Sequence, residues 1–348
     1  MKFFMSTSMV VIILVLTFLG YQHYFGKDSV LPVDHEQTGL NDQIVINFSH
    51  VVAENTPKGL TANKFAKLVE QKTNGKVKVE VYPNSMLYSD DEEVPALQNG
   101  DIQMIAPSYS KITKMIPEWQ VLDLPYLLND YDAIQKVFTG ETSEKLLDML
   151  TQLDSKGLAF WINGFKQMTS NKTPLIDAQD FRGLKVRTMP SDMLQQQFRL
   201  LDARPKEIGF DQVFSTLEQN DIDMQENTAS NIYSKGFYKV QKYMTISNHG
   251  VLGYAVMMNE EFWNSLPKDI QGKIQEALNE ATLWNMKQSE QMNKNDLVKI
   301  KKNSSMTIFT LTQAQQKAWR NKWEPLYQQY EATINPELIK QIQDELKP

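Results

Sequence analysis

The chain has 348 residues, of which 41% are hydrophobic and 22% are charged, and it contains no cysteine. At about 100–200 residues per domain, this length is sufficient for two lobes that each bury a core. The lack of cysteine excludes disulfides, thiolate zinc sites, iron–sulfur clusters, a cysteine nucleophile and a lipid-modified cysteine. The formal charge of −6 argues against a nucleic-acid partner, because nucleic-acid binding needs a cationic surface.

The N-terminal segment predicts export from the cytoplasm. Lys2 precedes the apolar run 9–20, which is typical of an export signal. Bulky residues occupy 21–25, where a cleavage site needs small ones, and a helix over 3–21 would span about 28 Å, close to the hydrocarbon thickness of a bilayer. We therefore favour a signal-anchor over a cleaved signal, and we predict that 1–41 comprises this membrane anchor and a polar tether.

From residue 44 onward, strand and helix patterns alternate. Ile44, Ile46 and Phe48 have the period of a strand, and Thr56-Pro57 is typical of a helix start. Further predicted elements are a helix over 92–99 and strands over 76–82, 101–106, 158–162, 184–186 and 222–224. This order predicts an α/β fold with helices on both faces of the sheet.

A weak internal repeat relates two of these units. The pattern of apolar residues at 94–104 recurs at 214–224, an offset of 120 (214 − 94). Chance similarity between two ordinary units is one explanation. The other is two lobes of similar construction, which would place Ser108 and Tyr109 opposite Glu226 and Asn227 at a shared crevice, beyond the carboxyl ends of the strands.

The C-terminal third is predicted to be mostly helical. One unusually long helix is expected to begin at Lys268, and a strand over 304–310 interrupts the helical pattern. Thr312 is then expected to begin a helix that carries Trp319 and Trp323, which we interpret as core anchors rather than ligand platforms.

Few motifs for catalysis or cofactor binding are present. The sequence has no G-x-G fingerprint, no G-K-[ST] phosphate loop and no G-x-S-x-G elbow. The histidines are not spaced as a metal pair on one helix, so no metal site and no cofactor are predicted. We interpret the acidic run 90–93 as a charged first helical turn rather than a cation site.

Several cationic and amide residues follow predicted strands. Arg187 ends a short strand, where a guanidinium can bind a carboxylate through two parallel hydrogen bonds. A surface salt bridge is the alternative role for this arginine. Lys166, Asn227 and His249 also follow strand-like segments, and each of these signals is weak by itself.

Longer motifs resemble a known family, the extracytoplasmic solute-binding subunits of TRAP transporters, and within it the DctP-type C4-dicarboxylate binders. The similar segments occur in order from about Gln43 to the C-terminus. They are FSHVVAENTPKG (48–59), VYPNSMLYSDDEEVPALQNGDIQMIAPS (81–108), NGFKQMTSNK (163–172), FRGLKVR (181–187), ENTASNIYS (226–234) and HGVLGYAV (249–256).

This resemblance implies a two-lobed clamp, like a periplasmic binding protein, with a long bridging helix and a ligand cleft between the lobes. The expected lobes are 42–162 plus 253–292 and 163–252 plus 293–348. The implied ligand-binding residues are Arg187, Lys166, Asn227, Lys58, Ser108, His249, Phe210 and His50. Lysine at position 166, where the sialic-acid branch has arginine, favours a small diacid, whereas Asp223-Met224-Gln225 departs from the usual Asp-Gly before Glu226.

The resemblance thus predicts a protein that captures succinate, fumarate or malate by cleft closure and delivers it to TRAP membrane subunits. Burying two carboxylates costs several kcal/mol per charge unless each is paired, so cations from both lobes would favour the closed form. One alternative is a tethered co-sensor that presents the closed form to a membrane sensor kinase. An enzyme such as a lyase is a third possibility, which the lack of catalytic motifs disfavours.

Overall fold

The computed structural model describes residues 43–347, so the predicted signal-anchor and tether, 1–41, lie outside the described part. The helices are α1 (Pro57–Lys72), α2 (Glu93–Gln98), α3 (Tyr109–Ile112), α4 (Tyr131–Phe138), α5 (Glu141–Asp148), α6 (Asp192–Arg199), α7 (Val213–Glu218), α8 (Ala229–Ser234), α9 (Glu260–Ser265), α10 (Lys268–Asn303), α11 (Gln313–Thr333) and α12 (Pro336–Glu345). The strands are β1 (Ile44–Ser49), β2 (Val77–Tyr82), β3 (Met104–Ile105), β4 (Ser155–Ser170), β5 (Lys185–Thr188), β6 (Arg204–Glu207), β7 (Met224–Thr228), β8 (Tyr243–Ile246), β9 (Val251–Asn259) and β10 (Thr307–Thr310). Between residues 43 and 347, no helix combines the length and the apolarity needed to cross a membrane.

The sheet has two regions that share strand β4. In the first sheet region, the order is β2-β1-β3-β9 and then residues 155–165 of β4. In the second sheet region, residues 166–170 of β4 pair with β7, which is followed by β5 and β6, while β8 and β10 extend from the other side of β4. This arrangement is the two-lobed α/β clamp that the family resemblance implied, and β4 changes partners between residues 165 and 166.

Helices cover both faces of the sheet, and most strands therefore bury side chains on both sides. One apolar cluster packs α4 and α11 with Trp119, Trp319 and Trp323 against one face. The other packs α1 and the first half of α10 against the opposite face, around Phe48 and Trp161. Trp319 and Trp323 are fully buried, as the sequence predicted for core anchors.

Helix α10 forms hydrogen bonds to the backbone of β4 close to the point where this strand changes its pairing partners. The helix has 36 residues, and two of its asparagine side chains hydrogen-bond to the strand backbone. Asn285 accepts a hydrogen bond from the amide of Ile162 at 2.7 Å and donates one to its carbonyl at 3.1 Å. Asn293 donates to the carbonyl of Asn163 at 2.5 Å and accepts from the amide of Ser230 at 3.0 Å. The long helix therefore contacts β4 and the start of α8, the helix that follows β7.

Gly164 is required at this position, and we expect Gly164→Ala to lower the free energy of unfolding by about 1–3 kcal/mol. Its φ is +134°, and a Cβ there would lie 2.5 Å from Nδ2 of Asn293. Urea denaturation measures the effect. The matched control is Gly272→Ala, because Gly272 lies within helix α10 with nothing within 4 Å of its Cβ position, and alanine there should be neutral or stabilising. An equal loss in both variants would contradict the steric argument.

The internal repeat is visible in the structure. Helices α2 and α7 end in the same way: the amide of Asp101 donates to the carbonyl of Ala96 and the amide of Asp221 to that of Thr216, each at 3.0 Å. The residue before each aspartate has a positive φ, +78° at Gly100 and +60° at Asn220. Strands β3 and β7 then begin at equivalent positions, Met104 and Met224. Two units of like construction are thus present.

Most predicted helix starts are confirmed. Thr56 caps α1 by accepting from the amide of Gly59, with Pro57 at the first helical position. The long helix begins at Lys268 and a strand interrupts the helical pattern at 307–310. Thr312 caps α11, as its sequence pattern predicts.

Three local predictions are wrong. Strand β4 does not end near Ile162 but continues to Ser170, so Lys166 lies within a strand rather than in a loop after one. Strand β7 likewise extends over Asn227. The acidic run is not one charged helical turn, because α2 begins only at Glu93, and Asp90, before the helix, is buried.

Candidate ligand-binding site

A cavity lies between the two sheet regions, and polar side chains from both regions line it. The lining residues from the first region are Val51, Val52, Asp90, Ser108, Lys111, Leu252 and Tyr254. Those from the second are Arg187, Met189, Phe210, Asn227 and Asn231. The carboxyl-terminal ends of β1, β5 and β7 supply or precede several of these residues, as expected for a crevice in an open α/β sheet.

Arg187, near the end of β5, is the most buried cation in the cavity wall, with 2% of its surface exposed. Within residues 43–347 its side chain makes one hydrogen bond, from Nε to the carbonyl of Ile208 at 2.9 Å. No carboxylate oxygen of the described chain lies within 4 Å of its guanidinium nitrogens. A buried guanidinium without an ion pair is costly, so this position favours an anion.

Asn227, Ser108 and Phe210 complete the part of the cavity wall that the sequence predicted. The Oδ1 atom of Asn227 accepts hydrogen bonds from Nδ2 of Asn231 at 2.8 Å and from the amide of Thr228 at 3.0 Å. Its Nδ2 group is thus the end that suits a carboxylate, since an amide NH2 only donates. The hydroxyl of Ser108 lies 3.3 Å from Sδ of Met189, across the cavity mouth. The ring of Phe210 packs edge-on against Phe237.

A second cation in the cavity wall, Lys111, is paired. Its Nζ lies 2.9 Å from Oδ1 of Asp90, and both side chains are buried. The other oxygen of Asp90 accepts a hydrogen bond from the amide of Phe210 at 3.0 Å. Burial by itself would raise the pKa of Asp90, but the ammonium of Lys111 and the two hydrogen bonds outweigh it and hold the pKa below its usual value. The carboxyl group is therefore ionised.

At the surface, an exposed ion pair also joins the two sheet regions. Nζ of Lys114, which follows α3, lies 2.6 Å from each carboxylate oxygen of Glu207, the last residue of β6. Such an exposed pair contributes little to stability, on the order of 0–1 kcal/mol. Its position is informative, because it marks a second point at which the regions meet.

Two further predicted residues, Lys166 and His249, are bound to one buried carboxylate. Oε1 of Glu226 lies 2.7 Å from Nζ of Lys166, and Oε2 lies 2.6 Å from Nε2 of His249. All three side chains are buried. Because a carboxylate only accepts, Nε2 of His249 carries the proton, and Nδ1 can accept from the hydroxyl of Ser247 at 2.8 Å.

Glu226, Lys166 and His249 form a buried triad. Its geometry explains the pKa values of Glu226 and His249. Burial alone would raise the pKa of Glu226, but Lys166 and the hydrogen bond from His249 outweigh burial and bring the pKa to about 2. Burial lowers the pKa of His249, against the opposing effect of Glu226. Glu226 is therefore ionised and His249 is neutral at pH 7, so the triad carries no net charge.

Lys58 and His50 lie in the first sheet region, behind the cavity wall. Nζ of Lys58 donates to the carbonyl of Ala106 at 2.8 Å and lies 3.9 Å from the ring centroid of Tyr254, which lines the cavity. Burial lowers the pKa of Lys58 to about 8, while Glu93 and Asp90 oppose the shift. His50 is fully buried against Phe48, and burial together with Lys58 lowers its pKa well below the usual value.

Glu93 adds a buried acid to this neighbourhood. Its Oε1 accepts a hydrogen bond from the hydroxyl of Ser49 at 3.2 Å. Burial raises the pKa of Glu93 to about 8, and Lys58 opposes the shift. Within 43–347 no carboxylate oxygen lies within 4 Å of Nζ of Lys58, so this ammonium, like the Arg187 guanidinium, has no ion-pair partner.

The structure thus brings four of the eight predicted residues to the cavity wall, namely Arg187, Asn227, Ser108 and Phe210. The other four, Lys58, Lys166, His249 and His50, are buried but do not line the cavity. Sequence reasoning missed Asp90, Lys111, Asn231 and Tyr254. The acidic run includes Asp90, but the amide that donates to its carboxylate belongs to Phe210, 120 residues away in the sequence.

Comparisons with known proteins agree with this architecture. Residues 48–333 match the family model DctP, described as bacterial extracellular solute-binding protein, family 7. The chain is 50% identical to the C4-dicarboxylate-binding protein DctB of Bacillus subtilis (strain 168) over 325 residues, 93% of each protein.

Two solved structures are also similar. The first is a TRAP periplasmic solute-binding protein from Sulfurospirillum deleyianum with bound succinate (TM-score 0.83, 42% identity, 86% of this chain and 98% of that one). The second is a TRAP periplasmic solute-binding protein from Pseudomonas aeruginosa with bound L-malate (TM-score 0.80, 35% identity, 82% of this chain and 100% of that one). The fold, the inter-region cavity and these matches together show that the chain belongs to the DctP family, family 7 of the bacterial extracellular solute-binding proteins.

Proposed function

We propose that the cavity captures a C4-dicarboxylate such as succinate, fumarate or malate, and that the protein presents it to TRAP-type membrane subunits. The observation that carries this proposal is the buried guanidinium of Arg187, which lines the cavity without an ion-pair partner in the described chain. A planar guanidinium can form two parallel hydrogen bonds to one carboxylate, which would supply the missing charge.

Charge accounting supports a doubly negative ligand. Four cations are buried in and around the cavity, and two of them are neutralised: Lys111 by Asp90 and Lys166 by Glu226. The remaining two are Arg187 and Lys58. Two unpaired cations match the two carboxylates of a C4 diacid, since each charge that leaves water must be compensated.

The other predicted residues take roles that follow from their contacts. Asn227 and Ser108 donate hydrogen bonds to the carboxylates, and Phe210 covers the apolar carbons. Lys166 and His249 act through Glu226, which directly precedes Asn227 on β7, and His50 supports the wall beside Lys58. No bond of the ligand is broken in this scheme, so the protein binds its ligand and does not catalyse a reaction.

Relatives support this ligand class. The Bacillus subtilis protein is named for C4-dicarboxylate binding, and the two solved structures hold succinate and L-malate. We further propose that the expected lobes, 42–162 plus 253–292 and 163–252 plus 293–348, close around the ligand. Residues 1–41 would direct export and tether the protein to the outer face of the cell membrane, as their apolar pattern indicates.

Ligand binding is expected to raise the melting temperature, because a ligand that binds only the native state stabilises it by mass action. At a concentration of 100 Kd the gain is about 2.7 kcal/mol. Thermal unfolding with succinate, fumarate and L-malate tests this, with butyrate as a control that has four carbons but one carboxylate. Equal shifts with butyrate and succinate would contradict the two-cation argument. Recovery of chemically changed malate would indicate an enzyme instead.

A further inference from the structure

The two loops that precede the repeated helices contact each other over the cavity. Asp90 precedes α2 and Phe210 precedes α7, and the two residues are separated by the same 120 positions that relate the repeated units (210 − 90). The amide of Phe210 donates to Oδ2 of Asp90 at 3.0 Å. Equivalent positions in the two units thus form a direct hydrogen bond.

This contact is built into the cavity rather than lying on the surface. Asp90 is 6% exposed and Phe210 is 7% exposed, and both line the cavity. Oδ1 of Asp90 pairs with Lys111 of the first region, and Oδ2 accepts from the amide of Phe210 of the second region. The carboxylate therefore bridges the two sheet regions. Gly209 packs close by, since a Cβ there would lie 3.7 Å from Cβ of Asp90. The neighbouring Asp91 is exposed.

We propose that Asp90 is a positioning residue that fastens the two equivalent loops over the bound ligand and so controls ligand release. This inference rests on the proposed function of the cavity. The first sheet region carries Asp90 and the second carries the amide of Phe210, so the regions separate only if this hydrogen bond breaks. A contact that exists in the closed form alone slows dissociation and leaves association almost unchanged.

The charge of Asp90 has an opposite effect, which the experiment must separate. A carboxylate in the wall repels a dianion, so removing its charge by itself strengthens ligand binding. Asp90→Asn and Asp90→Ala both remove the charge, but only the alanine variant removes the oxygen that accepts from Phe210. Both variants also leave Lys111 without its ion-pair partner. Because that loss is common to the two, the ratio of their dissociation rates reports on the hydrogen bond to Phe210. Asp91→Asn is the matched control for charge at an exposed neighbouring position.

Stopped-flow measurement of succinate dissociation from the full chain tests the proposal. A buried hydrogen bond predicts that Asp90→Ala releases succinate about tenfold faster than Asp90→Asn, and that Asp91→Asn behaves like the parent. Equal release rates for the two Asp90 variants would overturn the inference. If the parent itself binds no C4 diacid, the proposed function fails, which is a different outcome from a parent that binds with all variants alike.

Hydrogen exchange at the amide of Phe210 provides a second measurement, and its first comparison, the parent with and without succinate, needs no variant. In the parent, succinate is expected to slow this exchange at least tenfold, because the amide is fastened only when the regions are closed. In Asp90→Ala with succinate, that protection is expected to be lost. Exchange at Phe210 that is equally fast with and without succinate in the parent would also refute the role of Asp90.

Discussion

Arg187→Ala is expected to weaken succinate binding by about 2–5 kcal/mol, the usual cost of truncating one partner of a buried charge pair. This corresponds to roughly 30-fold to several thousandfold in Kd. The reason is that Arg187 is the one cation of the cavity wall whose charge no protein carboxylate neutralises within the described chain. Calorimetric titration of the parent and the variant with succinate measures the loss.

Two companion variants sharpen this measurement. Arg182→Ala removes an exposed arginine five positions upstream and is expected to leave the affinity unchanged. Arg187→Lys keeps the charge but loses the planar fork, and an intermediate affinity is expected. Comparable affinity in Arg187→Ala and the parent would show that the ligand carboxylate binds elsewhere.

Glu226→Gln is expected to lower the free energy of unfolding by about 3–5 kcal/mol, because it leaves the ammonium of Lys166 buried without a countercharge. The carboxylate accepts from both Lys166 and His249, whereas the amide of glutamine carries no charge and keeps only one acceptor oxygen. Urea denaturation at pH 7 measures the change. The control is Glu290→Gln, which breaks an exposed ion pair with Lys294 and is expected to cost about 1 kcal/mol or less.

The same variant makes a prediction about pH. The pKa of Glu226 in the folded protein, about 2, is below its usual value of 4.5. A lowered pKa contributes stability that is complete above the unfolded pKa and is lost as the pH falls toward the folded pKa. The parent should therefore lose this contribution between about pH 4.5 and pH 2, and Glu226→Gln should lack that part of the acid dependence. Parallel stability curves for the two proteins would argue against the ionised triad.

Local signals allowed much of the fold to be predicted. The cap at Thr56-Pro57, the alternation in β2 and the start of α10 at Lys268 each depend on residues within one turn or one strand. The extent of β4 shows where local signals failed. Asn163-Gly164 reads locally as a turn, but the side chain of Asn293, 130 positions away, and pairing with two other strands keep the backbone extended. Local sequence does not contain that information.

In the candidate site, too, some features could be predicted from local sequence and others could not. A guanidinium at the end of a strand and an amide near the end of another are recognisable from their positions, and both Arg187 and Asn227 line the cavity. Pairing between charges is not recognisable, because Glu226 lies 60 positions from Lys166 and 23 from His249. The hydrogen bond between Asp90 and the amide of Phe210 likewise spans 120 positions. Sequence could nominate cations for this site, but only the fold shows which of them are already neutralised.

The surface ion pair between Lys114 and Glu207 makes the opening of the cleft measurable. Lys114 is exposed and Glu207 is partly exposed, they belong to different sheet regions, and the chain contains no native thiol to compete for a label. Paired cysteines at positions 114 and 207 could therefore carry two spin labels or a fluorophore pair without background labelling. The distribution of distances between the labels would give the fraction of shut molecules directly, at any concentration of solute.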